Sequence, residues 1–135
     1  MPQYNPPLRD MQFVMHELLQ VTDEYKAMPA HAEVDADTIN AVLEEGGKFA
    51  AEVVFPLNIS GDQQGCRFDR DTHEVTPPEG FKAAYDQYVA GGWPALSCDP
   101  DFGGQGLPIV LNQCFYEMLN SANQAWTMYP GLSHG

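Results

Sequence analysis

A chain of 135 residues has a single-domain length and can bury one hydrophobic core. Hydrophobic residues make up 44% of it, with six Met, seven Phe, six Tyr and two Trp, which argues against a disordered tail. Nineteen acidic residues against six basic ones give a formal charge of −13, so nucleic acid and anionic membrane are poor partners for this surface.

The chain opens with Asn5-Pro6-Pro7, a turn signal that can also start a helix, since proline tolerates the first helical turn. Leu8, Met11, Met15 and Leu18 then recur at helical spacing, widened by Val14, Leu19, Val21 and Tyr25. Arg9, Asp10, Gln12, Glu17 and Gln20 fall largely on the other side, so one amphipathic helix is expected up to Met28-Pro29. A second helix is capped by Asp35 or Asp37 and buries Ile39, Val42, Leu43, Phe49, Ala50 and Val53. Gly46-Gly47 in its middle costs about 1 kcal/mol per Gly relative to Ala, which points to a close helix approach or a kink. Pro56 is expected to stop it.

Ile59 to Pro78 reads as an irregular excursion with a faint hairpin signal. Thr76-Pro77-Pro78-Glu79 combines a Thr N-cap, a proline at the first helical position and a Glu three residues after the cap. That capping box predicts a third helix with an apolar face of Phe81, Ala84, Tyr85, Tyr88 and Val89, stopped by Gly91-Gly92. Trp93 to Pro108 is a long Gly/Pro-rich loop. A last helix starts near Leu107-Pro108 and runs through Val110, Leu111, Cys114, Phe115, Met118 and Leu119, with Asn120 to Asn123 expected to break or recap it. Pro130-Gly131 is expected to split the terminal stretch from Gln124 to Gly135. Strand signals are nearly absent, so the fold class is all-α, a bundle of about four to six helices joined by long Gly/Pro-rich loops.

The motifs that carry chemistry mostly fail. Asp69-Arg70-Asp71-Thr72-His73 begins like a calcium loop, but the required Gly and Glu positions hold Glu74 and Gly80. His16, His31, His73, His134, Cys66, Cys98 and Cys114 show no zinc-ligand spacing, so no metal site is expected. The same three cysteines are odd in number and imply no disulfide framework. Phe102-Gly103-Gly104-Gln105-Gly106 lacks the strand and the Lys-Ser/Thr of a phosphate loop and reads as a tight turn. No nucleophile motif is present. Only Arg9, Lys26, Lys48, Arg67, Arg70 and Lys82 can meet phosphates, so this stretch is not expected to be a phosphate-binding part. The first residues lack a basic and an apolar signal region. The longest apolar run, Val53 to Leu57, falls far short of the about 20 residues a bilayer needs. A cytoplasmic protein is the default.

Ordered landmarks then point to a family. Met1 to Glu17 resembles the N-terminal extension of a large bacterial subgroup of acyl-CoA dehydrogenases. Pro56-Leu57-Asn58 with Gly61-Asp62 and Gly65, then Gly80 to Tyr85, Gly92-Trp93 and Gly103 to Pro108 resemble further landmarks of that family in the same order. Ala122-Asn123 with Met128 to Leu132 is similar to the stretch where the family lines its acyl pocket. The resemblance implies residues 1–34 as an extension helix and residues 35–135 as the start of the helical N-terminal domain, followed in the parent by a β domain and a second helical domain. It implies an FAD-dependent oxidoreductase of fatty acid β-oxidation. A glutamate base and the flavin convert an acyl-CoA thioester to a 2-enoyl-CoA, and electrons pass to an electron-transfer flavoprotein. A homo-oligomeric parent is likewise implied. The base and the flavin contacts are expected outside this chain, leaving the fragment inactive alone, with no catalytic or cofactor-binding residue of its own and no FAD expected bound to it. Trp126, Thr127, Met128, Tyr129 and Leu132 map onto the acyl-chain wall, where the competing reading is plain core packing. The alternative to the whole assignment is a stand-alone acidic helical module that binds a protein partner or an acyl group without redox activity.

Overall fold

A computed structural model describes residues 2–133; Met1, Gly135 and His134, one of the histidines weighed above as a metal ligand, lie outside them. The described residues form helices α1 (Leu8–Gln12), α2 (Val21–Tyr25), α3 (Ala36–Lys48), α4 (Leu57–Gln64), α5 (Phe81–Ala90) and α6 (Ile109–Ser133). Two π-helical segments, Phe13–Leu18 and Phe49–Val54, extend α1 and α3. Strands β1 (Arg67–Phe68) and β2 (Val75–Thr76) pair antiparallel, with Arg67 opposite Thr76. The all-α expectation holds.

Asp35, not Asp37, starts α3: its backbone is extended and its Oδ1 accepts the Thr38 N–H at 2.7 Å. Ile39, Leu43, Gly46, Ala50 and Val54 follow at three- and four-residue spacing and are buried. The glycine pair answers to close approach. A β-carbon on Gly46 would lie 2.8 Å from Phe115 Cδ2 of α6, and one on Gly47 would lie 3.2 Å from Pro6. Those glycines let α6 and the N-terminal segment lie directly against α3. Around this contact Phe49, Tyr88, Trp93, Phe115 and Trp126 form one aromatic cluster, with Trp93 stacked on Phe115 at 4.2 Å.

Several expectations need correction. The first helix is not continuous to Tyr25. It ends at Leu18, and Gln20 adopts a left-handed conformation (φ 49°) that no helix interior allows. The second helical run does end at Val54, just before Pro56, but a further helix, α4, follows at once with Pro56 at its N-cap, where an irregular stretch was expected from Ile59. The turn-like Ser60-Gly61-Asp62 therefore lies inside a helix, where Gly61 serves close packing: a β-carbon on it would meet Phe81 Cε1 at 2.6 Å. The capping box also fails. Thr76 sits in β2, since a residue before proline favours extended backbone. The Glu79 N–H is taken by Gln64 Oε1 at 2.9 Å, and α5 starts after a left-handed Gly80 with no side-chain cap. On α5 itself Phe81, Ala84 and Tyr88 are buried while Tyr85 and Val89 are exposed. Pro130-Gly131 does not split α6 either. The helix restarts at Asn123, and the buried Pro130 forgoes only the bond to the Trp126 carbonyl.

Candidate functional site

The last ten described residues hold all five of the residues mapped to an acyl wall. Asn123 leaves helical geometry (φ −164°, ψ 91°), as expected of a recapping residue, and its Oδ1 accepts the Trp126 N–H at 3.1 Å. Thr127 Oγ1 donates to the Asn123 carbonyl at 2.9 Å. From that restart the helix divides into two faces. Trp126 and Thr127 point inward at 1% and 2% exposure. Trp126 Nε1 donates to the Phe81 carbonyl at 3.1 Å, and its ring meets Phe49 and Tyr88 edge to face. Met128, Tyr129 and Leu132 point outward, 52%, 46% and 78% exposed. The five are close in sequence but divide between two faces of the helix.

Tyr129 is the outward residue with fixed neighbours. Its ring stands perpendicular to Phe81 at 5.9 Å, and its hydroxyl hydrogen-bonds Cys66 Sγ at 3.3 Å. That bond, and secondarily partial burial, raises the phenol's pKa. Beside it opens an almost wholly apolar groove of about 320 Å³ lined by Pro77, Phe81, Lys82, Tyr85, Trp126 and Tyr129. Lys82 at its rim pairs with Asp86. The sequence pattern did not disclose the groove's other wall. Phe81 and Tyr85 are four residues apart on α5, a spacing that did mark an apolar face, but nothing in the sequence says that Trp126 and Tyr129 stand across from it. No sequence signal marks Cys66.

The glycine turn spends its amides on its own backbone. In the glycine turn the amides of Gly104, Gln105, Gly106 and Leu107 donate to the carbonyls of Asp99, Ala95, Cys98 and Leu96. The turn is closed on itself, and a β-carbon on Gly104 would lie 2.0 Å from the Cys98 carbonyl oxygen, so its glycines serve packing rather than a phosphate. Arg9, Lys26, Lys48 and Lys82 are each paired with a carboxylate. In the rejected calcium stretch Asp69 Oδ1 accepts the amides of Asp71 and Thr72, bonds that hold its carboxyl below the usual range. Among the described residues no group of three or more His, Cys, Asp or Glu side chains is placed to hold a metal, and no helix is long and apolar enough to cross a membrane.

No protein-family model matches the chain. Similarity to curated enzymes nevertheless runs along almost all of it. The chain is 38% identical over 132 residues to 3-methylmercaptopropionyl-CoA dehydrogenase of Ruegeria pomeroyi, covering 98% of this chain and 22% of that protein. It is 31% identical to a broad-specificity linear acyl-CoA dehydrogenase of Mycobacterium tuberculosis, covering 97% of this chain and 21% of that one. It is also 31% identical to butyryl-CoA dehydrogenase of Syntrophomonas wolfei, covering 95% and 21%. This chain belongs to the acyl-CoA dehydrogenase family. It spans about a fifth of the length of the curated relatives it matches. Within this acyl-CoA dehydrogenase segment, Met128, Tyr129 and Leu132 form an exposed apolar stripe on α6, with the groove beside Tyr129.

Proposed function

We propose that the chain forms the beginning of a bacterial FAD-dependent acyl-CoA dehydrogenase, with residues 1–34 as an N-terminal extension and residues 35–135 opening the helical N-terminal domain. The whole protein removes the α-proton and β-hydride of an acyl-CoA thioester to give a 2-enoyl-CoA, using FAD held by later parts of the polypeptide. This segment supplies one wall of the acyl-chain pocket and no catalytic group. Met128, Tyr129 and Leu132 touch the acyl chain, while Trp126 and Thr127 support them from within. The observation that carries this reading is the placement of three large apolar side chains outward at positions i, i+1 and i+4 of a helix whose other face is core. An apolar stripe of that size suits a hydrocarbon tail. The acidic surface and paired lysines agree with phosphates of CoA and FAD being held elsewhere. Electron-transfer flavoprotein as acceptor, a homo-oligomeric assembly and a cytoplasmic location complete the proposal.

The test is to read the coding frame past Gly135, purify its native product, and measure intact mass, flavin absorbance and acyl-CoA oxidation. A frame continuing into a flavin-binding protein with that activity supports the reading. A native product near 14.9 kDa without flavin would overturn it and leave an acidic helical binding module.

A further inference from the structure

We infer that Asn123 is the positioning residue that aims the acyl wall, a role that rests on the reading of Met128, Tyr129 and Leu132 as that wall. Asn123 is 2% exposed and sits where α6 leaves helical geometry. Its two amide atoms act in different directions. The oxygen accepts the Trp126 N–H at 3.1 Å and so starts the final helical stretch. The nitrogen donates to the Val54 carbonyl at 3.4 Å, at the end of the π-helical segment that follows α3. In a regular α-helix that carbonyl would receive the Asn58 N–H, but Asn58 donates to Phe55 instead, at 3.0 Å. Thus a carbonyl released by one helix irregularity is met by the side chain that makes the other.

The chemistry selects asparagine. The cap needs an acceptor and Val54 needs a donor, and a carboxamide offers both from one planar group. Aspartate keeps the acceptor but sets a buried carboxylate against a carbonyl oxygen. Serine keeps a cap oxygen but is too short to span to Val54. The direction of residues 124–133 is therefore pinned to the helix that carries Phe49 and Val54. Each residue of an α-helix turns the outward direction by about 100°. If α6 ran straight through position 123, Met128, Tyr129 and Leu132 would no longer form the outward stripe, and the inward pair Trp126 and Thr127 would leave its partners.

The test uses the flavin-loaded enzyme encoded by the complete frame and a ladder of straight-chain acyl-CoA thioesters. Asn123→Ser and Asn123→Asp are compared with Leu132→Ala, which alters the wall itself. The expected result for both Asn123 variants is a KM that rises about three- to tenfold more on the longest thioesters than on the shortest, with kcat changing much less. Leu132→Ala is expected to shift the same length profile. A length profile unchanged in Asn123→Ser but shifted in Leu132→Ala overturns the role of Asn123 and leaves the wall standing. So does an equal loss of kcat and melting temperature at every length, the mark of a merely structural residue. A profile that none of the variants moves sinks the wall reading, and this role with it. Should Asn123→Asp fail to fold, Asn123→Ser, which keeps the cap, decides alone.

Discussion

Trp126 and Leu132 lie less than two helical turns apart, yet the chain treats them in opposite ways. Trp126 is enclosed by Phe49, Tyr88 and Phe81, hydrogen-bonded through its indole N–H, and almost without solvent contact. Leu132 has 78% of its surface exposed. Both are large and apolar, so hydrophobicity alone does not separate residues that hold the fold from residues that offer a surface. The helix period does. Once α6 restarts at Asn123, positions 126, 127 and 130 face the core and positions 128, 129 and 132 face out. The lesson is that a run of candidate wall residues must be divided by phase before any is given a role.

That division can be broken by experiment, most sharply at Trp126. Trp126→Ala removes a fully buried indole and is expected to cost about 3–5 kcal/mol in urea unfolding of the 135-residue chain. A loss under about 1 kcal/mol would show that the inward face is not the stabilising one. Gly61→Ala comes next. Its methyl would collide with the Phe81 ring, itself packed against Tyr129, and the expected cost is about 1–3 kcal/mol. A neutral result would mean that α4 and α5 are free to part. Leu132→Ser is expected to change the chain's own stability by no more than about 0.5 kcal/mol. A large destabilisation there would move Leu132 from the offered surface to the core.

The smallest effect is at Asp35, away from both faces. Amide hydrogen bonds, chiefly from Thr38, hold its folded pKa below the ordinary 3.8. A depressed folded pKa contributes stability above the unfolded value, and that contribution is lost as pH falls through the folded value. Asp35→Asn keeps a cap acceptor that does not titrate. Acid unfolding of the two proteins should therefore diverge only below about pH 4. Curves that differ equally at neutral pH would mean that charge at this position, not the cap, matters.

How much of this was legible in the sequence depends on whether the decisive contact was local. α3, α5 and α6 could be read because their apolar periods lie within each segment. Gly46-Gly47 could be read as a close approach, though not as an approach to Phe115 and Pro6. Reading failed where a distant partner overrode local chemistry. Gly61 looks like a turn residue until Phe81 is placed on it; Thr76 looks like a helix cap, though Pro77 after it and Arg67 across from it both favour a strand. The site shows the same limit. Family resemblance located Trp126, Thr127, Met128, Tyr129 and Leu132 as a stretch, but their sorting into two faces depends on the break at Asn123, whose Val54 partner is 69 residues away. The groove wall of Phe81 and Tyr85 and the Cys66 contact to Tyr129 are tertiary facts with no local signature.

The aromatic cluster also decides how this molecule can be watched. Both tryptophans of the sequence, Trp93 and Trp126, stand within 6.5 Å of the Phe49 ring centroid. Indole emission is therefore an optical readout of one spot, where α3, α5 and α6 converge. A fluorescence melt will track the parting of those helices as a single signal. It will report less on loosening of residues 2–33, which carry no tryptophan and meet the bundle through Tyr4, Pro6 and Leu8, the buried Met11, Met15, Val21 and Tyr25, and the His16–Asn40 hydrogen bond. Set beside a circular-dichroism melt, which sums over every helix, it separates peeling of the N-terminal segment from collapse of the centre.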